Sequence, residues 1–262
     1  METKGEAQSF WEHLDALRAA IIKSLLAAMA FSVAAFCLKD QLFAIILAPK
    51  DADFVTYKIL NGVSNWVTDA DDLNFNVKII STGLAEQFMI HMQAALCAGI
   101  ICASPYIIYQ LFRFVSPALY VDERRYAVRV VGGGYIMFAF GVAVCYFLIF
   151  PLTFRFLGDY HVSAQVDNMV TLQSYISTLL TMSLAMGIVF EIPILSWLFA
   201  KLGFLSSAFM RKYRRHAIVI ILVVAAVITP TSDVFTLMLV SLPMWLLYEA
   251  SILIVKRTHN KE

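Results

Sequence analysis

Residues 128–152, VRVVGGGYIMFAFGVAVCYFLIFPL, decide the class of fold. Beyond Arg129 this stretch has no charged side chain, and it is long enough to cross a bilayer core of about 30 Å, which takes roughly 20 helical residues. Runs of the same character lie on both sides of it, at about 19–38, 84–112, 172–199, 216–229 and 234–255. The first contains one charge, Lys23, which can snorkel to the near interface. The fifth, His216 to Thr229, is too short for an ordinary bilayer, so it must tilt little, thin the lipid locally or sit in protein. The composition agrees with this reading. Of 262 residues, 60% are hydrophobic and 15% charged, with a mean hydropathy of +0.75; soluble domains run about 45–50% apolar and 25% charged. A disordered chain, a disulfide scaffold and a soluble nucleic-acid binder are excluded. With no internal repeat or composition break, the expectation is an all-α integral membrane protein. It forms one six-span domain over 1–262, with helices five and six short.

Lysine and arginine orient the spans. With the N-terminus inside, Lys39, Lys50, Lys58, Lys78 and Arg155 fall outside and Lys23 within the first span, while the remaining fourteen of twenty bases are cytoplasmic. Both termini are then cytoplasmic. The polar, acidic start METKGEAQSFWEHLDALR has no signal-peptide pattern, so the first apolar run is expected to be retained. The first outside loop, about 39–83, is too long for a hairpin and predicts an ordered cap of amphipathic helix or short extended pieces. Cys37, Cys97, Cys102 and Cys145 all lie in apolar runs without a CxxC pair, which reads as buried small hydrophobes.

Catalytic motifs are missing. There is no Gly-x-Ser-x-Gly elbow, and the histidines at 13, 91, 161, 216 and 259 have no metal-ligand spacing. No phosphate-binding or dinucleotide loop occurs, so neither enzyme activity nor a cofactor is expected. His91, within the second span, reads as a hydrogen-bonded interior histidine. The informative groups are ionisable residues at membrane depth, which are costly and seldom face lipid. Glu191 sits in the middle of the fourth span beside Pro193, whose missing N–H predicts a kink. Glu86 and Glu249 lie near span ends and read as interfacial. Asp233, before an apolar run, reads as an N-cap. Prolines 105, 193 and 243 inside spans suggest curved helices around a concave, open wall, and Gly132–Gly134 suggests close packing.

Two segments at the cytoplasmic rim combine acids, bases and aromatics. The first, FWEHLDALR at 10–18, is an amphipathic lead-in to the first span, with Leu14, Leu17 and Ile21 at helical spacing. The second is YQLFRFVSPALYVDERR at 109–125. Together with FP at 150–151, FEIP at 190–193, TPTSDVF at 229–235 and LPM at 242–244, these segments resemble the TatC family, the receptor subunit of the twin-arginine protein translocase, over almost the whole chain. The resemblance implies a membrane receptor that binds paired-arginine signal peptides of folded cargo. It places Glu123 and Phe114 in that site, with Pro117, Leu119, Tyr120 and Arg124 of the same turn and Leu14 and Arg18 of the lead-in. A carboxylate suits the planar guanidinium fork, which lysine replaces poorly.

The family's second acid falls at Ala16 here, so Asp15 or Glu12 takes its place, or Glu123 acts largely alone. The resemblance also implies partner subunits of the TatA and TatB type, single-span helices docking along spans five and six, with Glu191, Gln110 and Asp233 as polar contacts. The position of a family glutamine in span six is Leu237. Self-association in the complex, a bacterial cytoplasmic membrane and energy from the proton-motive force complete the expectation. The competing reading is a six-span solute transporter with Glu191 as coupling site; against it stands the lack of repeated halves.

Overall fold

The computed structural model describes residues 10–51, 53–59, 79–115, 127–160, 169–229 and 233–259. The lead-in and first span form one helix, α1 (Phe10–Cys37), because no proline or glycine interrupts them. A turn at Leu38 leads to α2 (Lys39–Leu47) and a 3₁₀ turn, Ala48–Lys50, with Pro49 at its start. The second span is α3 (Glu86–Val115), which carries Pro105 without a break. The third is α4 (Ala127–Val144), a π turn at Cys145–Ile149, and α5 (Phe150–Asp159). The fourth divides into α6 (Leu172–Val189) and α7 (Ile192–Lys201). A short α8 (Ser207–Lys212) then precedes α9 (Arg214–Ile228) and α10 (Val234–His259).

Five helical segments are long and apolar enough to cross a membrane. The remaining candidate, α9, has 15 residues, about 22 Å at 1.5 Å per residue, as its short apolar run predicts. The sixth span is not short. α10 has 26 residues because the helix continues from its apolar run into Lys256 and Arg257. Large apolar side chains such as Leu25, Leu26, Val227 and Leu253 stand more than half exposed, a surface that suits lipid and not water.

Backbones approach closely where the sequence supplies glycine. A Cβ on Gly99 would lie 2.6 Å from the Ser32 backbone nitrogen, so α1 and α3 touch main chain to main chain. A Cβ on Gly141 would lie 2.6 Å from the Met186 carbonyl, and one on Gly187 would lie 2.8 Å from the Phe138 ring. Those two glycines seal α4 against α6. The triplet at 132–134 does this only in part: Gly132 faces open space and Gly134 alone is tightly enclosed.

The half that holds α2 and the start of α3 is tied by polar contacts. The expected cap is present among the described residues as α2, the 3₁₀ turn and a helical turn at 55–59. Ile79–Ile80 pairs in parallel with Val170–Thr171, joining the segment before α3 to the segment before α6. Tyr57, 2% exposed, holds its hydroxyl 3.1 Å from both the Pro49 and Pro151 carbonyl oxygens. Burial pushes its phenol above the ordinary tyrosine range, which keeps that donor protonated. Thr56 donates to the Phe147 carbonyl, Tyr146 to Ile45 and Tyr175 to Ile46. Beneath them Phe150, Phe154 and Tyr175 pack ring on ring.

Some single-residue expectations change. His91 Nε2 is buried with no hydrogen-bond partner, and its ring stacks on Phe36 at 4.1 Å and meets the edge of Phe43. Aromatic packing, not a hydrogen bond to that nitrogen, holds it. Cys97 and Cys145 are buried as expected, whereas Cys37 and Cys102 are exposed on the apolar surface.

Candidate functional site

The C-terminal halves of α3 and α6, the N-terminal part of α4 and α7 enclose a groove of about 460 Å³. Ile107, Ile108 and Leu111 form one wall, Val130, Val131 and Phe138 a second, and Ile188, Ile194 and Leu198 a third. Among the described residues, two polar ones line it, Ser104 and Glu191. The Ser104 hydroxyl is engaged, donating to the Ile101 carbonyl at 2.7 Å. Glu191 is not so provided: its Oε1 is buried and has no hydrogen-bond partner.

The local sequence explains how the carboxylate comes to stand there. Pro193 has no N–H for the Val189 carbonyl, so α6 stops and α7 starts three residues later. The chain tightens in between, with Glu191 N–H donating to Ile188 at 3.1 Å. The Glu191 carbonyl then accepts from Ile194 and Leu195, so the two helices remain nearly end to end. Opposite, Gly134 leaves the space the carboxylate needs, since a Cβ there would lie 3.3 Å from Oε2. The helix break before Pro193 and the expected polar group therefore coincide.

A second, smaller crevice of about 280 Å³ opens between the N-terminal part of α1 and the C-terminal part of α3. Ala16, Ala19, Ala20 and Lys23 face Gln110, Arg113 and Phe114 across it. Gln110 is buried and its amide donates to the Tyr106 hydroxyl at 2.6 Å.

Comparison with known proteins adds the lineage. A family model, Sec-independent protein translocase protein (TatC), matches residues 12–243. The chain belongs to the TatC family. The Desulforapulum autotrophicum Sec-independent protein translocase protein TatC is 34% identical over 253 residues, 97% of this chain and 86% of that protein. For the Carboxydothermus hydrogenoformans TatC the identity is 32% over 254 residues, 97% and 95% of the two chains. A crystal structure of a twin arginine translocase receptor, TatC, superposes with a TM-score of 0.75 at 32% identity, covering 94% of this chain and 98% of that one. A second such structure, in DDM, gives 0.77 at 32% identity over 92% and 98%. Membership displaces the solute-transporter reading and makes this a multi-pass membrane protein of the translocase.

On this TatC-family frame the expected residues separate into groups. Glu191 lines the apolar groove, and Gln110 and Phe114 line the crevice. Leu14, Asp15 and Arg18 are exposed on α1, and Asp15 is not among the crevice residues; the matching position there is Ala16. Glu12 lies on the backbone of α1, and its side chain is outside the described residues. Pro117, Leu119, Tyr120, Glu123 and Arg124 also lie outside them. Asp233 caps α10, accepting from Thr236 N–H at 2.6 Å. Glu249 pairs with Arg214 at 2.6 Å, joining α9 to α10. Leu237 packs on the core that α9 and α10 share.

Sequence reasoning undervalued Glu86. Its carboxylate accepts from the N–H groups of Thr82 (2.7 Å) and Gly83 (2.8 Å) and, across the chain, of Gln173 (3.1 Å). It thereby fastens the start of α3 to the start of α6. The signal was present in STGLAE, a polar residue with glutamate a few positions on, as in a capping box.

Proposed function

We propose that this chain is the receptor of a twin-arginine translocase, taking the paired-arginine signal peptide of a folded cargo protein at its cytoplasmic rim. The observation that carries the reading is the long apolar groove with a single carboxylate in its wall. An apolar helix of a signal peptide or of a TatA- or TatB-type partner buries surface in such a groove, and a polar side chain on it satisfies Glu191. In this reading the chain is one six-span domain of the bacterial cytoplasmic membrane, with α9 as the short fifth span and both termini inside. The bias of basic residues supports that orientation. Export draws on the proton-motive force, copies of the complex self-associate, and no catalysis is required of the chain.

The arginine pair is assigned to Glu123, with Phe114, Pro117, Leu119, Tyr120 and Arg124 around it and Leu14 and Arg18 opposite. For a second carboxylate, helix geometry favours Glu12 over Asp15. Glu12 is four residues, about one turn, before the crevice residue Ala16, whereas Asp15 is rotated about 100° from it. Site-specific crosslinking tests the assignment. A photoreactive signal peptide should crosslink beside Glu123, and Glu123→Lys in the receptor or Arg-Arg→Lys-Lys in the peptide should abolish the product. Unchanged crosslinking in both cases would overturn it. Replacing Glu12 by Ala should weaken the product and replacing Asp15 should not.

A further inference from the structure

Residues 201–216, KLGFLSSAFMRKYRRH, join the end of α7 to the start of α9 and interleave five lysines and arginines with three aromatic rings. Gly203, at a φ of 77°, closes the end of α7 in the left-handed conformation and turns the chain. Ser206 then caps α8, its hydroxyl accepting from the Phe209 N–H at 3.2 Å. One side of α8 is fixed to the protein. Met210 is buried with Ile252 and Val255 of α10, and the Tyr248 hydroxyl donates to the Met210 carbonyl at 2.8 Å.

The other side is open. Phe204 and Phe209 are 81% and 54% exposed. The rings of Phe209, Tyr213 and His216 follow one another with centroids 4.6 and 5.5 Å apart, and their spacing of four and three residues puts them on one face. The same spacing continues along α9 through Ile220, Val223 and Val227, all more than half exposed. That aliphatic stripe suits lipid, so the ring ladder stands where the lipid-facing surface of a span ends. This is headgroup depth, where aromatic side chains settle. Arg211, Lys212 and Arg215 are exposed at the same level, with Lys212 Nζ 5.8 Å from the Tyr213 ring centroid. Arg214, between them, is engaged with Glu249 at 2.6 Å.

We infer that the turn from α8 to α9 is an interfacial seat for anionic phospholipid, with Arg211, Lys212 and Arg215 on the headgroup phosphates and Phe204 and Phe209 in the acyl boundary beside them. Basic residues next to a membrane helix favour anionic lipid in this way, and apolar rings inserted beside them add burial. A helix of six residues could not hold itself together on a membrane surface. Here the contacts to α10 order it beforehand, so little is lost when lipid arrives. A soluble phosphate would meet the same cations and gain nothing from the rings. The orientation proposed above decides only the leaflet, which is then the cytoplasmic one.

Photocrosslinking of the full chain in nanodiscs of mixed phosphatidylglycerol and phosphatidylcholine tests this, with a diazirine near the head of one acyl chain of either lipid and the adducts mapped by mass spectrometry. Phosphatidylglycerol adducts should fall on residues 204–216 and exceed those of phosphatidylcholine there, and excess glycerol 3-phosphate should not reduce them. Arg211→Gln with Lys212→Gln and Arg215→Gln should lower the phosphatidylglycerol adducts at least tenfold, each basic residue at an anionic surface being worth about fivefold. Arg211→Lys with Arg215→Lys should keep them. Phe204→Ser with Phe209→Ser should lower the adducts of both lipids. Equal labelling by the two lipids, unchanged labelling in the triple glutamine variant, or loss of labelling to glycerol 3-phosphate would overturn the inference. So would adducts that begin only beyond Ile220, which would leave the turn to a protein partner. Should the triple variant aggregate, Arg215→Gln alone decides, unchanged labelling again overturning it. Signal-peptide crosslinking at Glu123 is a separate readout, so failure here leaves the receptor reading standing, and the reverse also holds.

Discussion

The two ends of this molecule are built on different terms. In the half that carries Glu86 and the two strands, hydrogen bonds tie loop to helix, although His91 Nε2, Thr153 Oγ1 and Thr236 Oγ1 are buried without a partner. Tyr57, Tyr146 and Tyr175 donate to loop and helix carbonyls, Glu86 collects three N–H groups, and two short strands join the loops. In the other half the groove leaves a buried carboxylate oxygen without a partner, and the crevice is bordered by two cations, Lys23 and Arg113, that have no acid partner among the described residues. A region cross-linked by its own hydrogen bonds is a frame, and an open apolar groove with an unpartnered carboxylate oxygen in its wall is shaped for something else to complete it. The difference shows where rigidity and recognition are divided in a chain whose composition is uniformly apolar.

The harshest way to break this contrast is to disturb the frame at its closest approach. Gly99→Leu must push α1 off α3, since even a Cβ overlaps the Ser32 main chain. It should abolish recovery of folded protein, measured as the monodisperse fraction in size-exclusion chromatography. Gly141→Leu should act likewise through the Met186 carbonyl and cost about 1–3 kcal/mol or more, read as a lowered melting temperature.

Next in size is a change that separates the two halves. Glu191→Leu removes an unpartnered buried carboxylate oxygen, so the fold should be at least as stable as wild type. Cargo export or partner docking should fall at least tenfold in vesicles, with membrane insertion intact. A destabilised fold with normal export would reverse the assignment of Glu191 to recognition.

Smaller effects sharpen the picture of the frame. Tyr175→Phe deletes the hydrogen bond to the Ile46 carbonyl and should cost about 1 kcal/mol, with faster protease cleavage in the first outside loop as the sign of a loosened cap. Smallest of all, Arg214→Gln breaks an exposed ion pair with Glu249 and should shift stability by less than about 1 kcal/mol.

Much of the frame was legible in the sequence because long apolar runs allow few alternatives. The span from 128 to 152, the short run before Thr229 and the break at Pro193 all declare themselves. The extent of the last helix did not, because a helix can continue past the apolar boundary into Lys256 and Arg257 without a sequence stop. Glycine packing was read at the conspicuous triplet, yet the tight approaches fall at the isolated Gly99, Gly141 and Gly187. Only the partner helix decides which glycine is pressed. Glu191 could be singled out because a lone acid in a span is rare. Glu86 could not be valued, since its bond to Gln173 joins residues 87 positions apart. The motif around Glu123 carried the family resemblance through its wording alone, and it lies outside the described residues.

The groove beside Glu191 also sets a zero point. A helix sliding along a trough of isoleucine, leucine and valine finds every depth nearly equivalent, because the dispersion attraction given up at one end is recovered at the other. One carboxylate breaks that degeneracy. A visiting helix whose polar side chain is displaced by a single turn must shift about 5.4 Å to reach it, so the groove can measure length as well as greasiness.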